Sequence, residues 1–155
     1  MSTILDGKPI KLMAVASGGG HLIQLLRLRP AFAGCEVTYV STVQPPGLHA
    51  NDRVIVVQDA NLNEKRKLAR LFIQTLLVII KNRPQVIITT GAAPGFAAIV
   101  IGRLFGAKTI WIDSIANSEE LSASGQKAKY WADLWLTQWS QLGHDDGPKY
   151  WGAVL

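Results

Sequence analysis

The chain has 155 residues, 48% of them apolar, with one cysteine and a net charge of +5. That length suits one domain with a real core, and the lone Cys35 excludes an intrachain disulfide and a cysteine-based metal site. The positive charge points to anionic partners such as a nucleotide or a phospholipid surface, and a mean hydropathy of +0.18 is high enough that part of the surface is expected to meet a partner or a membrane.

Residues 1–9 are short and polar, so no signal peptide is expected. The first predicted strand is Lys11–Ala16, an apolar run that leads into Ser17-Gly18-Gly19-Gly20-His21. The amphipathic stretch after it predicts a helix over Gly20–Phe32. Glycines let the backbone pass close to a ligand, and a helix N-terminus offers unpaired N–H groups to an anion. A histidine on the first turn reaches whatever binds there, which is the layout of a nucleotide or phosphorylated-substrate site. The plain alternative is a tight turn carrying a surface histidine.

The loop is not a Walker A loop, because His21-Leu22 stands where Lys-Ser/Thr is required. A dinucleotide fingerprint fails as well. Its third glycine position is Ile23, and the second predicted strand, Glu36–Val40, runs into Ser41-Thr42 with no acidic residue. NAD binding is therefore disfavoured. His21, His49 and His144 show no short ligand spacing, so no metal is expected, and no cofactor is expected either.

Pro45-Pro46-Gly47 marks a loop before the third predicted strand, Arg53–Val57. The next helix is predicted over Asn63–Asn82, with Asn63 as N-cap and Pro84 as the stop. It begins with Lys65, Arg66, Lys67 and Arg70 and continues as an oily body that includes Phe72 and Ile73, with little polar face left. Such a helix suits an anionic bilayer surface or burial by a partner, and it is too short to span a membrane.

The fourth strand, Gln85–Thr90, opens a second glycine-bearing turn, Thr90-Gly91-Ala92-Ala93-Pro94-Gly95, before a helix over Gly95–Phe105. That turn reads either as a second backbone site for phosphate or sugar or as close helix–sheet packing. The fifth strand, Lys108–Ile112, ends in Asp113-Ser114-Ile115-Ala116-Asn117. Those polar groups are able to read sugar hydroxyls or to cap the loop onto nearby backbone. A helix over Ser124–Trp131 and a strand over Asp133–Thr137 follow. Trp131, Trp135 and Trp139 are therefore not one helical stripe, and at least two of them are expected in the core.

Strands alternate with helices throughout, so the expected fold is α/β: a Rossmann-like parallel sheet with helices on both faces, in a single domain spanning 1–155. Ligands of such sheets bind beyond the carboxyl ends of the strands, at Ser17–His21, Ser41–Asn51, Thr90–Gly95 and Asp113–Ser124.

The ordered set Ser-Gly-Gly-Gly-His (17–21), Thr-Gly-Ala-Ala-Pro-Gly (90–95), Ile-Asp-Ser-Ile-Ala-Asn (112–117), Leu-Ser-Ala-Ser-Gly-Gln-Lys-Ala (121–128) and Ala-Asp-Leu-Trp-Leu-Thr-Gln-Trp (132–139) resembles the Alg14-like family. That family includes bacterial polysaccharide-biosynthesis glycosyltransferase subunits of the PssD and CpsF kind. The resemblance implies the N-terminal half of a GT-B glycosyltransferase, with the donor-binding half supplied by a separate Alg13-like chain. It implies transfer of a sugar from a nucleotide sugar to a polyprenyl-diphosphate-linked acceptor at the cytoplasmic face of a membrane, and a hexosyltransferase activity that needs the partner. The alternative is a non-catalytic scaffold that anchors and activates its partner, and a third reading is a stand-alone nucleotide-binding enzyme. The positions it carries over are Gly18, Gly19, Gly20 and His21, with His21 as candidate base; Gly91, Pro94 and Gly95; and Asp113, Ser114 and Asn117. Ser17 joins them as the head of the first loop.

Many members begin with a hydrophobic anchor helix. This chain shows none, which moves the expected peripheral membrane contact to Lys65–Ile80. Many relatives also carry Glu where Asp113 stands. With the sheet expected to be complete after six strands, Trp139, Leu142, Tyr150, Trp151, Val154 and Leu155 remain to be buried. Gln138–Leu155 is expected at the interface with the donor-binding subunit, or folded back on its own sheet as a closing helix or strand.

Overall fold

The computed structural model describes residues 4–5, 7–48, 52–61 and 63–154. His49, the end of the Ser41–Asn51 loop and Leu155 lie outside them. A short antiparallel hairpin, β1 (Ile4–Leu5) with β2 (Lys8–Pro9), precedes the main sheet. The main elements then run β3 (Lys11–Ala16), α1 (Gly20–Arg27), β4 (Glu36–Ser41), β5 (Arg53–Val56), α2 (Lys65–Asn82), β6 (Val86–Thr89), α3 (Ala92–Leu104), β7 (Lys108–Ile112), α4 (Ala123–Ala128), β8 (Leu134–Thr137) and β9 (Lys149–Tyr150).

Strands β3 to β9 form one sheet in the order β5-β4-β3-β6-β7-β8-β9, and every pair is parallel. The chain works outward from β3 to β5, returns through α2, and works outward the other way from β6. The direction of winding switches between β3 and β6, the point at whose carboxyl edge open α/β sheets form a binding crevice.

Strand β3 shows why the sheet is buried on both sides. Leu12, Ala14 and Ala16 belong to one core with Leu22, Leu25, Tyr39 and Ile112, on the α1 face. Met13 and Val15 belong to the other, with Leu71, Ile79, Ile99 and Trp111, under α2 and α3. A continuous apolar run is what a two-sided parallel strand requires.

The expected six strands and four helices are all present; Lys11–Ala16 and Lys108–Ile112 keep their expected bounds, and the other elements have shifted ends. Helix α1 stops at Arg27, and Arg29–Phe32 continues as a 3-10 turn entered through Pro30. Proline lacks the N–H an α-helix would need there. Helix α2 starts after Glu64, not Asn63, whose N–H instead donates to Asn61 Oδ1 at 2.9 Å. It ends where Arg83 turns left-handed (φ 47°) ahead of Pro84. Helix α3 starts three residues early, at Ala92, so Pro94 falls in its first turn, where its missing N–H costs nothing. Helix α4 ends at Ala128, leaving Trp131 outside it. Trp131 and Trp135 pack, partly buried, against the α2–α3 core.

The sheet is not complete after six strands. Lys149–Tyr150 adds a seventh, paired with Leu136–Thr137 on β8. Among the described residues no helix is long and apolar enough to cross a membrane.

Candidate functional site

The crevice floor is built from the ends of β3 and β6. Gly19 turns the chain into α1 with φ 72° and ψ −141°, a conformation suited to glycine. The amide of Gly18 is already used, donating to Thr42 Oγ1 at 2.9 Å at the end of β4. Val43 packs its methyls at 3.1 Å from where a Gly18 side chain would begin. The amides free for an anion are therefore those heading α1, which lack intrahelical acceptors.

His21 sits on the first turn, half-buried, with Nδ1 3.2 Å from Ser17 Oγ. Its carbonyl accepts from Thr90 Oγ1 at 2.6 Å, which ties the first glycine loop to the second. Against the ring is Gly91, with φ 125°, and a side chain there would start 3.0 Å from His21 Cδ2 and 3.1 Å from Nε2. Ala92 follows at φ 63°, an uncommon value for a residue with a Cβ. The edge of the imidazole thus lies on bare backbone, with the buried Trp111 ring behind it. Burial lowers the His21 pKa below 6.5, and the Asp113 charge, which raises it, is the smaller influence. The imidazole is neutral at neutral pH and able to take up a proton.

Ser17, Gly18, Gly19, Gly20, His21 and Gly91 come together at the switch point. Pro94 and Gly95 are buried, and a Cβ on Gly95 would overlap Thr89 Oγ1, so helix and strand touch there. Asp113 is 1% exposed, with its oxygens turned inward. Oδ1 accepts from Trp111 Nε1 at 3.1 Å and Ser122 Oγ at 2.6 Å. Oδ2 accepts from Asn117 Nδ2 at 3.1 Å and the Ser122 amide at 3.0 Å. This carboxylate fastens the loop from 113 to 122, and its charge reaches the crevice while its oxygens do not. Ser114 Oγ accepts from Gln24 Nε2 at 3.1 Å and from the Ala116 amide at 3.3 Å.

Sequence reasoning missed Thr42, Gln24 and Gln138. The signal for Gln24 was available: it is a polar residue on the apolar face of α1, buried between Leu22 and Leu25. Thr42 and Gln138 are single polar residues after strands, a place too common to single out.

On α2, Leu71, Thr75 and Ile79 face inward. Phe72 is half-buried against the core, whereas Ile73 and Leu77 are each 60% exposed and Ile80 46%. Lys65, Arg66, Lys67 and Arg70 are exposed at the start of the helix, and Lys67 pairs with Glu64. Leu104 and Phe105, at the end of α3, are exposed as well. Among the described residues there is no cluster of three or more potential metal ligands.

Residues 47–154 match the family described as "Oligosaccharide biosynthesis protein Alg14 like". No protein of curated function matches the chain by sequence. Among solved structures the fold is similar to MurG of Acinetobacter baumannii, with a TM-score of 0.73 at 12% identity over 95% of this chain and 46% of that one. It is also similar to the Methanocaldococcus jannaschii UDP-GlcNAc 2-epimerase in complex with UDP-GlcNAc and UDP (TM-score 0.65, 12% identity, 83% of this chain and 40% of that one). A third is the S. aureus MnaA–UDP structure (TM-score 0.64, 17% identity, 83% and 38%). The chain spans less than half the length of each of these proteins.

Proposed function

The chain belongs to the Alg14-like oligosaccharide-biosynthesis family, and we propose that it is the acceptor-side half of a two-component glycosyltransferase. An Alg13-like subunit binds the nucleotide sugar, and the pair transfers the sugar to a polyprenyl-diphosphate-linked acceptor. The observation that carries this reading is the half-buried His21, held between Ser17 and Gly91 at the switch point of the sheet, where burial lowers its pKa. The fold it shares with one half of MurG supports a cleft whose other wall lies on a second domain.

In the transfer step the acceptor hydroxyl oxygen attacks the anomeric carbon, and the bond from that carbon to the nucleoside diphosphate breaks. The hydroxyl proton has to leave, and His21 is the group to take it. In the tautomer that carries its proton on Nδ1 and donates it to Ser17 Oγ, Nε2 is the unprotonated atom, beside Gly91. The amides heading α1 face a diphosphate favourably.

The chain's attachment is proposed to be peripheral, through the outer face of α2. Between Lys65 and Ile112 the sequence holds eight Lys and Arg and no Asp or Glu. The exposed Ile73, Leu77 and Ile80 stripe lies within that segment. Cations around exposed apolar side chains suit an anionic bilayer surface. The exposed Tyr150 and Trp151 beside β9 suit the interface with the donor-binding subunit, as aromatic residues anchor interfaces.

The test is transfer by the reconstituted pair. His21→Ala should lower turnover about 10²–10⁴-fold with the pair still assembled, and the chain alone should transfer nothing. A loss under about threefold would move His21 out of the chemistry and favour a scaffold subunit. Robust turnover by the chain alone would end the two-component reading.

A further inference from the structure

We infer that a buried pair of glutamines couples the Trp151–Val154 segment to the glycine loop, so that the seating of that segment sets the position of Gly20 and His21. Gln24 lies one turn into α1 and is 5% exposed; Gln138 directly follows β8 and is 3% exposed. Gln24 Oε1 accepts from the Ile115 amide at 3.0 Å and from Gln138 Nε2 at 2.6 Å. Its Nε2 donates to the Gly20 carbonyl at 3.2 Å and to Ser114 Oγ at 3.1 Å. Gln138 Nε2 also donates to the Asp113 carbonyl at 2.9 Å, and its Oε1 accepts from the Val154 amide at 2.8 Å.

Three segments therefore meet on two side chains: the start of α1, the loop after β7, and the stretch after β9. Neither amide has freedom to turn. Reversing Gln138 would set its oxygen against the Asp113 carbonyl and Gln24 Oε1, and its NH2 against the Val154 N–H. A buried network of this kind holds only while each member is satisfied.

The stretch after β9 is the least secured of the three. Trp151 is 72% exposed, Gly152 and Ala153 are exposed, and the segment bridges a hollow of about 240 Å³ lined by Leu28, Ile112 and Leu136. Strand β9 pairs with β8 over two residues. Lifting Val154 orphans Gln138 Oε1 in a buried place, which is costly. Gln138 then turns toward another donor and withdraws from Gln24, which loosens its hold on Gly20, the residue before His21. A subunit that grips Trp151 thus acts on the His21 loop without touching it. Gln24 and Gln138 are positioning residues. The importance of that loop rests on the function proposed above, but the coupling itself is measurable without any transfer reaction.

Val154→Pro deletes the N–H given to Gln138, and Val154→Ala keeps it. In NMR of the isotope-labelled full chain, Val154→Pro should shift the Gln24 side-chain NH2 and the Gly20 and His21 backbone signals. It should also speed exchange of the Ile115 amide about tenfold. Val154→Ala should match the unaltered protein, and the amides of Met13 and Val15 should stay protected in both. In a Gln24→Met background, Val154→Pro should no longer reach Gly20 and His21, because the relay is already cut. The inference fails if Val154→Pro leaves Gln24, Gly20 and His21 unmoved while the core amides report a folded chain. It also fails if Val154→Ala disturbs them equally, or if the Gln24→Met background changes nothing. None of these results bears on His21→Ala turnover, so the coupling and the proposed function fail independently.

Discussion

Gly91→Ala tests the geometry of the crevice most directly. At φ 125° an alanine is strained on its own account, at about 1–3 kcal/mol. The new Cβ also starts 3.0 Å from His21 Cδ2 and 3.1 Å from Nε2, inside the roughly 3.5–4.0 Å at which carbon atoms rest. The imidazole cannot simply swing away, because Ser17 Oγ holds Nδ1 and Thr90 holds the backbone. Overpacking of this kind adds about 1–3 kcal/mol, for a total of roughly 2–6 kcal/mol. In a His21→Ala background the strain remains and the clash is gone. Urea unfolding of the two single variants and the double variant separates them. The cost of Gly91→Ala should be smaller by about 1 kcal/mol or more when His21 is absent. Equal costs within about 0.5 kcal/mol would mean that the imidazole does not lean on Gly91, and the assembled crevice would be refuted.

His21 should titrate below pH 6.5 in the folded chain by NMR, since burial lowers its pKa. The unfolded chain then takes up the proton first. The His21 contribution to stability is complete above pH 6.5 and declines as pH falls through the window down to the folded value; His21→Asn should remove that slope from urea midpoints, and an unchanged slope would show the shift to be absent. Asp113→Asn places an NH2 among the four donors that face the carboxylate. It should cost about 2–4 kcal/mol in thermal unfolding and free the loop from 113 to 122, whereas a neutral substitution would deny the carboxylate its fastening role. Vesicle flotation should require anionic lipid and fall about 100-fold in partition for Lys65→Glu, Arg66→Glu and Lys67→Glu combined, at roughly 1 kcal/mol per cation. Ile73→Ser with Leu77→Ser should weaken it further at any salt, and binding indifferent to all five changes would dismiss the α2 face.

The elements that sequence reading located best are those with strong local signals. Lys108–Ile112 is apolar and β-branched, and its observed bounds are the expected ones. Gly20 opens α1 where the glycines end. Ends went astray where a capping residue was chosen by type alone. Asn63 has the right chemistry for an N-cap, yet its amide is held by Asn61, and the helix waits for Lys65. Strand β9 was legible only as one of the alternatives for the tail, because two residues carry no periodicity and pairing with β8 alone defines it. At the crevice, the residue types of the loops were legible, but the direction of each side chain was not. Nothing in Asp113-Ser114 says that the carboxylate turns inward to Trp111 and Ser122. The two glutamines form their network across 114 residues of separation, which no local pattern records.

Helix α2 connects the two surfaces that the proposed function needs. It follows β5 and precedes β6, so it runs antiparallel to the strands. Its basic start lies at the carboxyl edge of the sheet, the edge that carries the glycine loops, and its end lies at the opposite edge. Eighteen residues make a rod of about 27 Å, and its outward side carries charge at its start and exposed apolar side chains farther along. Cations at the edge of the sheet that carries the glycine loops suit the headgroups of an anionic bilayer. Ile73, Leu77 and Ile80 suit shallow contact with the acyl boundary. Under the proposed function, a bilayer meeting this stripe would present its acceptor at that same edge of the sheet, bringing the acceptor hydroxyl to His21 while its lipid stays in the membrane. Reversing the charges should then impair transfer to a membrane-held acceptor and spare transfer to a short, water-soluble analogue. Equal impairment of both would place those cations in the chemistry itself, and no impairment of either would separate α2 from acceptor delivery.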